Sequence, residues 1–246
     1  MKKLSHFIFL ISLSFISILN VSASSVTVNS QSELKNALLD ENITVIELGN
    51  DIETTEKINI TRPVTIDGNG YTMKYVGTFD SSGSKDNTVW NGIYLLQVYK
   101  TNATIKNIKL TNGNAALLVN GSTVTLEGNI DISGNGFGGI ELSQGKNVTT
   151  ISHLVIADGT KIINTTESAS TPTLWVPDDT PTAILEMNGL QQTLNAGEEL
   201  SIAEITNLFT VQENPNTSDS IILSIILGIS GFIILIVTSK KLVIQK

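Results

Sequence analysis

Short runs of alternating apolar and polar residues dominate the middle of this chain, and they recur. Thr65-Ile66-Asp67-Gly68-Asn69 precedes Tyr71-Thr72-Met73, and Thr104-Ile105-Lys106-Asn107 precedes Ile108-Lys109-Leu110. Thr125-Leu126-Glu127-Gly128-Asn129 precedes Ile130-Asp131-Ile132, and Thr150-Ile151-Ser152-His153 precedes Leu154-Val155-Ile156. Each copy reads as a strand with one buried face, a bend, and a second short strand. A second series lies between them: Tyr94-Leu95-Leu96-Gln97-Val98, Ala116-Leu117-Leu118-Val119, Gly139-Ile140-Glu141-Leu142 and Thr173-Leu174-Trp175-Val176. The middle copies are 21 and 25 residues apart, a solenoid period. This predicts an all-β coil with three short strands per turn. Ile105, Leu126 and Ile151 should stack in one inward file, and Leu95, Leu117, Ile140 and Leu174 in another. Asn and Gly at the bends supply the left-handed backbone that a sharp change of direction requires.

Helix is expected at Ser32–Leu39, where Ser30 and Glu33 form a capping box. Such a helix would cover the open end of the coil. Residues 76–91 and 165–173 are polar and break the period, as inserted loops do. Residues 191–212 are ambiguous: Ile202 to Phe209 reads equally as a capping helix or a last strand.

Both ends depart from the pattern. Lys2 and Lys3 precede an apolar run from Phe7 to Leu19, and Val21-Ser22-Ala23 ends in small side chains. This predicts a signal peptide over 1–23, cut between Ala23 and Ser24. Residues 220–238 form an uncharged run of 19, followed by Lys240, Lys241 and Lys246. As a helix that length matches the hydrocarbon core of a bilayer. A transmembrane anchor over 220–239 with a cytoplasmic basic tail over 240–246 is therefore expected, placing the coil at 24–212 outside the cell. The linker 213–219 joins the two.

At this point the chain resembles a family. Val64-Thr65-Ile66-Asp67-Gly68-Asn69-Gly70-Tyr71-Thr72-Met73, with Val45-Ile46-Glu47-Leu48 and Ile58-Asn59-Ile60 before it, resembles the opening coils of the pectate-lyase-like right-handed parallel β-helix. The resemblance runs to about Asn188 and is closest to the adhesin-like modules of bacterial surface proteins. It implies a stacking fold far more than an activity.

Charge and chemistry narrow the function. Between the two apolar ends stand ten basic residues against 23 acidic ones, a net of −13. Such a domain is a poor partner for nucleic acid. There is no cysteine, so no disulfide framework, thiolate metal site or cysteine nucleophile exists. Lyases resembling this fold use calcium on clustered carboxylates with a basic residue, but Arg62 is the only arginine and reads as a surface residue ahead of the Val64 strand. Hydrolases need facing carboxylates. Asp178-Asp179 sits in a proline-flanked loop, and its neighbours would point apart if extended. Asp131, Glu141 and Glu127 read as solvated strand positions that could share a face as a weak cation site. His153 reads as a bend residue. No catalytic residue, metal site or cofactor is predicted. Among Trp90, Tyr94, Tyr99, Tyr71, Tyr75 and Trp175, Trp90 in the polar insertion is the expected ligand contact.

Ahead of the apolar run stands Asn214-Pro215-Asn216-Thr217-Ser218. Proline-x-threonine, then a span, then lysines resembles a sortase sorting signal, with attack at the Thr217 carbonyl. Asn214 and Ser218 replace the leucine and glycine of the commonest pattern, and a plain polar linker is the other reading. The sequence thus points to a Gram-positive-type surface protein carrying a non-catalytic coil for adhesion or extracellular polymer binding. Its expected partners are the membrane, a sortase and the cell wall, and an extracellular glycan or host surface. The alternatives are a polysaccharide lyase or glycoside hydrolase, and a structural envelope protein.

Overall fold

A computed structural model describes residues 24–77, 92–145, 148–210, 222–227 and 233–238. The chain opens with β1 (Ser24–Val28) and α1 (Gln31–Leu39). A first turn follows, made of β2 (Ile43–Leu48), β3 (Ile52–Thr54) and β4 (Ile58–Ile60). The next turn is β5 (Val64–Asp67), β6 (Thr72–Tyr75) and β7 (Tyr94–Tyr99). In the two after that, the first two strands run continuously through a bend. These turns are β8 (Asn102–Thr111) with β9 (Ala115–Asn120), and β10 (Thr123–Asp131) with β11 (Gly138–Ser143). The last complete turn is β12 (Ser152–Ile156), β13 (Lys161–Ile163) and β14 (Leu174–Trp175).

Each turn lies parallel on the one before it. A first face stacks β1, β2, β5, the leading half of β8, the leading half of β10, β12 and then β15 (Thr182–Met187). A second face stacks β3, β6, the trailing half of β8, the trailing half of β10 and β13. A third stacks β4, β7, β9, β11 and β14. The expected all-β coil of three strands per turn is therefore present. Asn69, Asn107 and Gly128 mark the bend between the first two faces, with φ of 49°, 49° and 67°. Gly68 is required there for a second reason: a Cβ would sit 2.5 Å from the Asn107 carbonyl oxygen of the next turn.

The core files differ in part from the pattern. Register aligns Ile46, Ile66, Ile105, Leu126 and Ile156, not Ile151. Ile151 is 43% exposed. Eight residues separate β11 from β12, against two between β9 and β10, so the repeat enters five positions later than Thr150-Ile151 suggests. On the third face the file is Ile58, Leu96, Leu117, Ile140 and Leu174. Leu96 replaces the expected Leu95, although both are buried in the core.

Helices close the two ends. Ser30 Oγ accepts from the Glu33 amide at 3.2 Å, as the capping box predicts, while the Glu33 carboxylate reaches one residue further back and accepts from the Asn29 amide at 2.7 Å. Leu34 and Ala37 then seal the core. At the other end β15 and β16 (Leu190–Asn195) form an antiparallel hairpin around Asn188-Gly189, followed by β17 (Glu199–Leu200) and α2 (Ile202–Phe209). Ile205 and Phe209 of α2 join the core. Ser201 and Glu204 cap its start reciprocally, at 3.2 and 2.8 Å.

Residues 210–246 form a separate unit. There β18 (Ile222–Leu227) pairs antiparallel with β19 (Ile233–Thr238). This corrects the expectation of one continuous helix over 220–239. Both segments are rich in β-branched isoleucine, whose stiff χ1 favours strands. Among the described residues no helix is long and apolar enough to cross a membrane.

Candidate functional site

Strand alternation turns Ile140 inward and Glu141 outward on β11. In solvent an outward glutamate is unremarkable, but Glu141 is only 4% exposed. Tyr94, Ala115, Leu118 and Trp175 form a second apolar cluster around it, on the outer side of the third face. The Tyr94 hydroxyl, reaching from β7 past β9, donates to Glu141 Oε2. Ser143 and Trp175 also hydrogen-bond its carboxyl. Burial outweighs these donors and pushes the carboxyl up to about 7, with the nearby Asp179 charge adding to the rise. Burial and the adjacent carboxyl push the Tyr94 hydroxyl far above its ordinary value. The Lys57 amine lies 6.0 Å from the centre of the Tyr94 ring, and burial lowers its pKa against the opposing pull of Glu141.

The ridge between the first two faces has the opposite character. Lys106 Nζ lies 3.1 Å from Asp67 Oδ2, and Lys109 Nζ lies 3.1 Å from Asp131 Oδ2. Burial alone would raise Asp67, but the Asn69 amide, Lys106 and Asn107 outweigh it and hold the carboxyl low. At Asp131 the same contest is won by Ser133 and Lys109. Along this ridge runs a groove of about 530 Å³ lined by Asn69, Thr72, Asn107, Lys109, Asn129 and Asp131. A second, of about 400 Å³, lies on the first face between Thr65, Asn102, Thr104, Thr123 and Thr125. Thr65, Thr104 and Thr125 are stacked by register in successive turns. Hydroxyls, amides and locally balanced charge can hydrogen-bond a hydroxyl-rich ligand without attracting ions.

Other predicted positions fall elsewhere. Arg62 is a strut rather than a surface residue: it donates to the carbonyls of Ala37, Leu38 and Ile43 at 2.8, 2.8 and 2.6 Å. Ala37 and Leu38 lie in the last turn of α1, where carbonyls lack helical partners. His153 is not at a bend; it lies within β12 opposite Thr123. Its Nε2 is 3.1 Å from Glu186 Oε2, close enough for an ion pair when protonated but without hydrogen-bond geometry. Glu127, Asp131 and Glu141 do not share a face, because the bend at Gly128 and the turn before β11 put them on three different ones. Among the described residues no cluster of acids or histidines could hold a metal. Of the aromatics, Tyr75, Tyr94 and Trp175 are buried and Tyr71 is exposed. Trp90, Ala23 and the segment Asn214, Pro215, Asn216, Thr217 and Ser218 lie outside the described residues, while Ser24 opens β1.

The Glu141 cluster has little signal in sequence, since Tyr94 and Glu141 are 47 positions apart. A glutamate between apolar neighbours in a strand, with aromatics in the adjacent repeats, is the one available hint. Comparison with curated proteins and with solved structures finds no match. Residues 25–137 match the family model of the pectate lyase-like adhesive domain. Over that segment the chain is similar to the pectate lyase-like adhesive domain.

Proposed function

We propose that this chain is a cell-surface module whose β-coil adheres to an extracellular hydroxyl-rich polymer, without catalysis. One observation carries this reading: every residue lining the two grooves lies within the segment that matches the adhesive domain. The grooves lie along the strands and their bends, and offer hydroxyls and amides beside compensated charges. Rungs of a parallel coil repeat about every 4.8 Å, so a polymer lying across β5, β8 and β10 meets the same chemistry in successive turns. The non-catalytic reading is supported by Glu141, whose raised carboxyl is sealed away from any sugar it would have to protonate.

Display at the surface is proposed from the sequence of the two ends. A signal peptide over 1–23 would export the chain. The uncharged apolar run 220–238, paired as strands rather than forming the expected helix, would hold it at the membrane, or a sortase would transfer it to the wall at Thr217.

A glycan array probed with purified residues 24–210 tests the binding reading. Neutral polysaccharides are expected to bind, and Thr72→Ala with Asn129→Ala should weaken that binding at least tenfold. Retention by no glycan, or equal binding by the double variant, would refute the groove assignment. Mass spectrometry of the C-terminal peptide from fractionated cells tests the anchor. Wall-linked peptide ending at Thr217 supports sorting. Detergent release with residues 221–246 attached would mean a plain membrane tether.

A further inference from the structure

We propose that Tyr94, Glu141 and Trp175 form a proton-controlled clamp on the outer side of the third face, closed while the Glu141 carboxyl is neutral and loosened when it ionises. The contacts span turns that do not touch directly. Tyr94 stands on β7 and Glu141 on β11, with β9 between them. Trp175 comes from β14, one turn further on. The bond from the Tyr94 hydroxyl to Glu141 thus ties three successive turns from outside, where the inward core files exert no hold. Ala115 and Leu118 of β9 complete the apolar lining. The donors Tyr94, Ser143 and Trp175 favour the carboxylate, but burial in this apolar lining without an ion-pair partner outweighs them and favours the neutral carboxyl.

The charged groups around the cluster leave that preference in place. Lys57, ahead of β4, favours ionisation of Glu141, but burial disfavours the amine's own charge. Asp179, beyond β14, opposes ionisation. Glu199 pairs opposite Trp175 on β17 and adds a further negative charge on that side. Leu118, on the strand between, carries none.

Direction follows from linkage. An open clamp exposes Glu141 to water, where it ionises near the ordinary 4.5, whereas the closed clamp holds its proton to about 7. Closing therefore takes up a proton between these values. Closure is most favoured below pH 4.5, weakens progressively up to about 7, and is constant above. The opening equilibrium should shift by roughly two orders of magnitude across that window. Glu141 and Trp175 lie beyond the matched segment, which ends at residue 137, so the clamp couples the adhesive-type turns to the last turns of the coil. It does not depend on the groove assignment.

The test uses the full chain with Trp90→Phe, which leaves Trp175 as the sole tryptophan. Acrylamide quenching of its fluorescence is followed from acid to mildly alkaline pH, with circular dichroism verifying the fold at each point. Quenching is expected to rise with pH and level off above neutrality, and Glu141→Gln should remove the dependence. A flat wild-type profile, or the same rise in Glu141→Gln, overturns the clamp. If Glu141→Gln does not fold, Tyr94→Phe decides: a displaced midpoint supports the clamp, and an unchanged profile overturns it.

Discussion

Asp67 and Asp131 on the bend ridge and Glu141 on the third face are all strand carboxyls, yet their surroundings drive them apart. Each aspartate meets a lysine at 3.1 Å and a backbone amide at 2.9 Å, and both are held below their ordinary values. Glu141 meets a phenol, an indole and a hydroxyl inside an apolar shell, and it is pushed up. The difference is not burial alone, since burial opposes ionisation at all three. It is whether a cation and backbone donors are within reach. One repeated coil thus makes two surfaces: a hydrated ridge suited to binding, and a sealed patch suited to holding turns together.

Removing Glu141 should break the contrast most severely. Glu141→Ala leaves the buried Tyr94 and Trp175 donors without their acceptor and creates a cavity, at a cost of about 4 kcal/mol in urea unfolding. Next in size is the pH dependence. Glu141 has a raised folded pKa, so stability falls as pH rises from 4.5 to about 7 and is constant above. The full change is about 3 kcal/mol, and Glu141→Gln should abolish it. The aspartates give the opposite sign. Their folded pKa values lie below 3.8, so their stabilisation is present above that value and is lost as pH falls through the folded pKa. Asp67→Asn should cost about 1 kcal/mol at neutral pH, and Asp131→Asn, whose lysine partner is more exposed, about 0.5 kcal/mol. Smallest is the salt effect: 1 M NaCl should weaken the ridge pairs by about 0.5 kcal/mol or less. It should leave the Glu141 midpoint nearly unmoved.

Local rules made much of the coil readable. Alternation gives the strands, the asparagines and glycines at left-handed φ give the first bend, and Ser30 with Glu33 gives the first helix. The closing elements carried signals just as local. Asn188-Gly189 is a two-residue hairpin sequence, with φ of 55° and 71°, and Ser201 with Glu204 is a second capping box. Their meaning was masked by a repeat pattern that ends before them. The Ile151 misalignment has a similar origin, because period alone cannot register the longer connection between β11 and β12. Glu141 and Arg62 were illegible for a different reason. The environment of each is assembled from other turns, at separations of 47 residues for Tyr94 and up to 25 for the α1 carbonyls. Strand period says which way a side chain points, but not what stands in front of it.

The claim that one coil holds its carboxyls in opposite states is tested most directly by titrating them individually. Side-chain carboxyl ¹³C shifts of residues 24–210 should be followed by NMR against pH. The account predicts a Glu141 midpoint near 7, with Asp67 and Asp131 both below 3.8. A Glu141 midpoint at the ordinary 4.5 in the folded domain would contradict it.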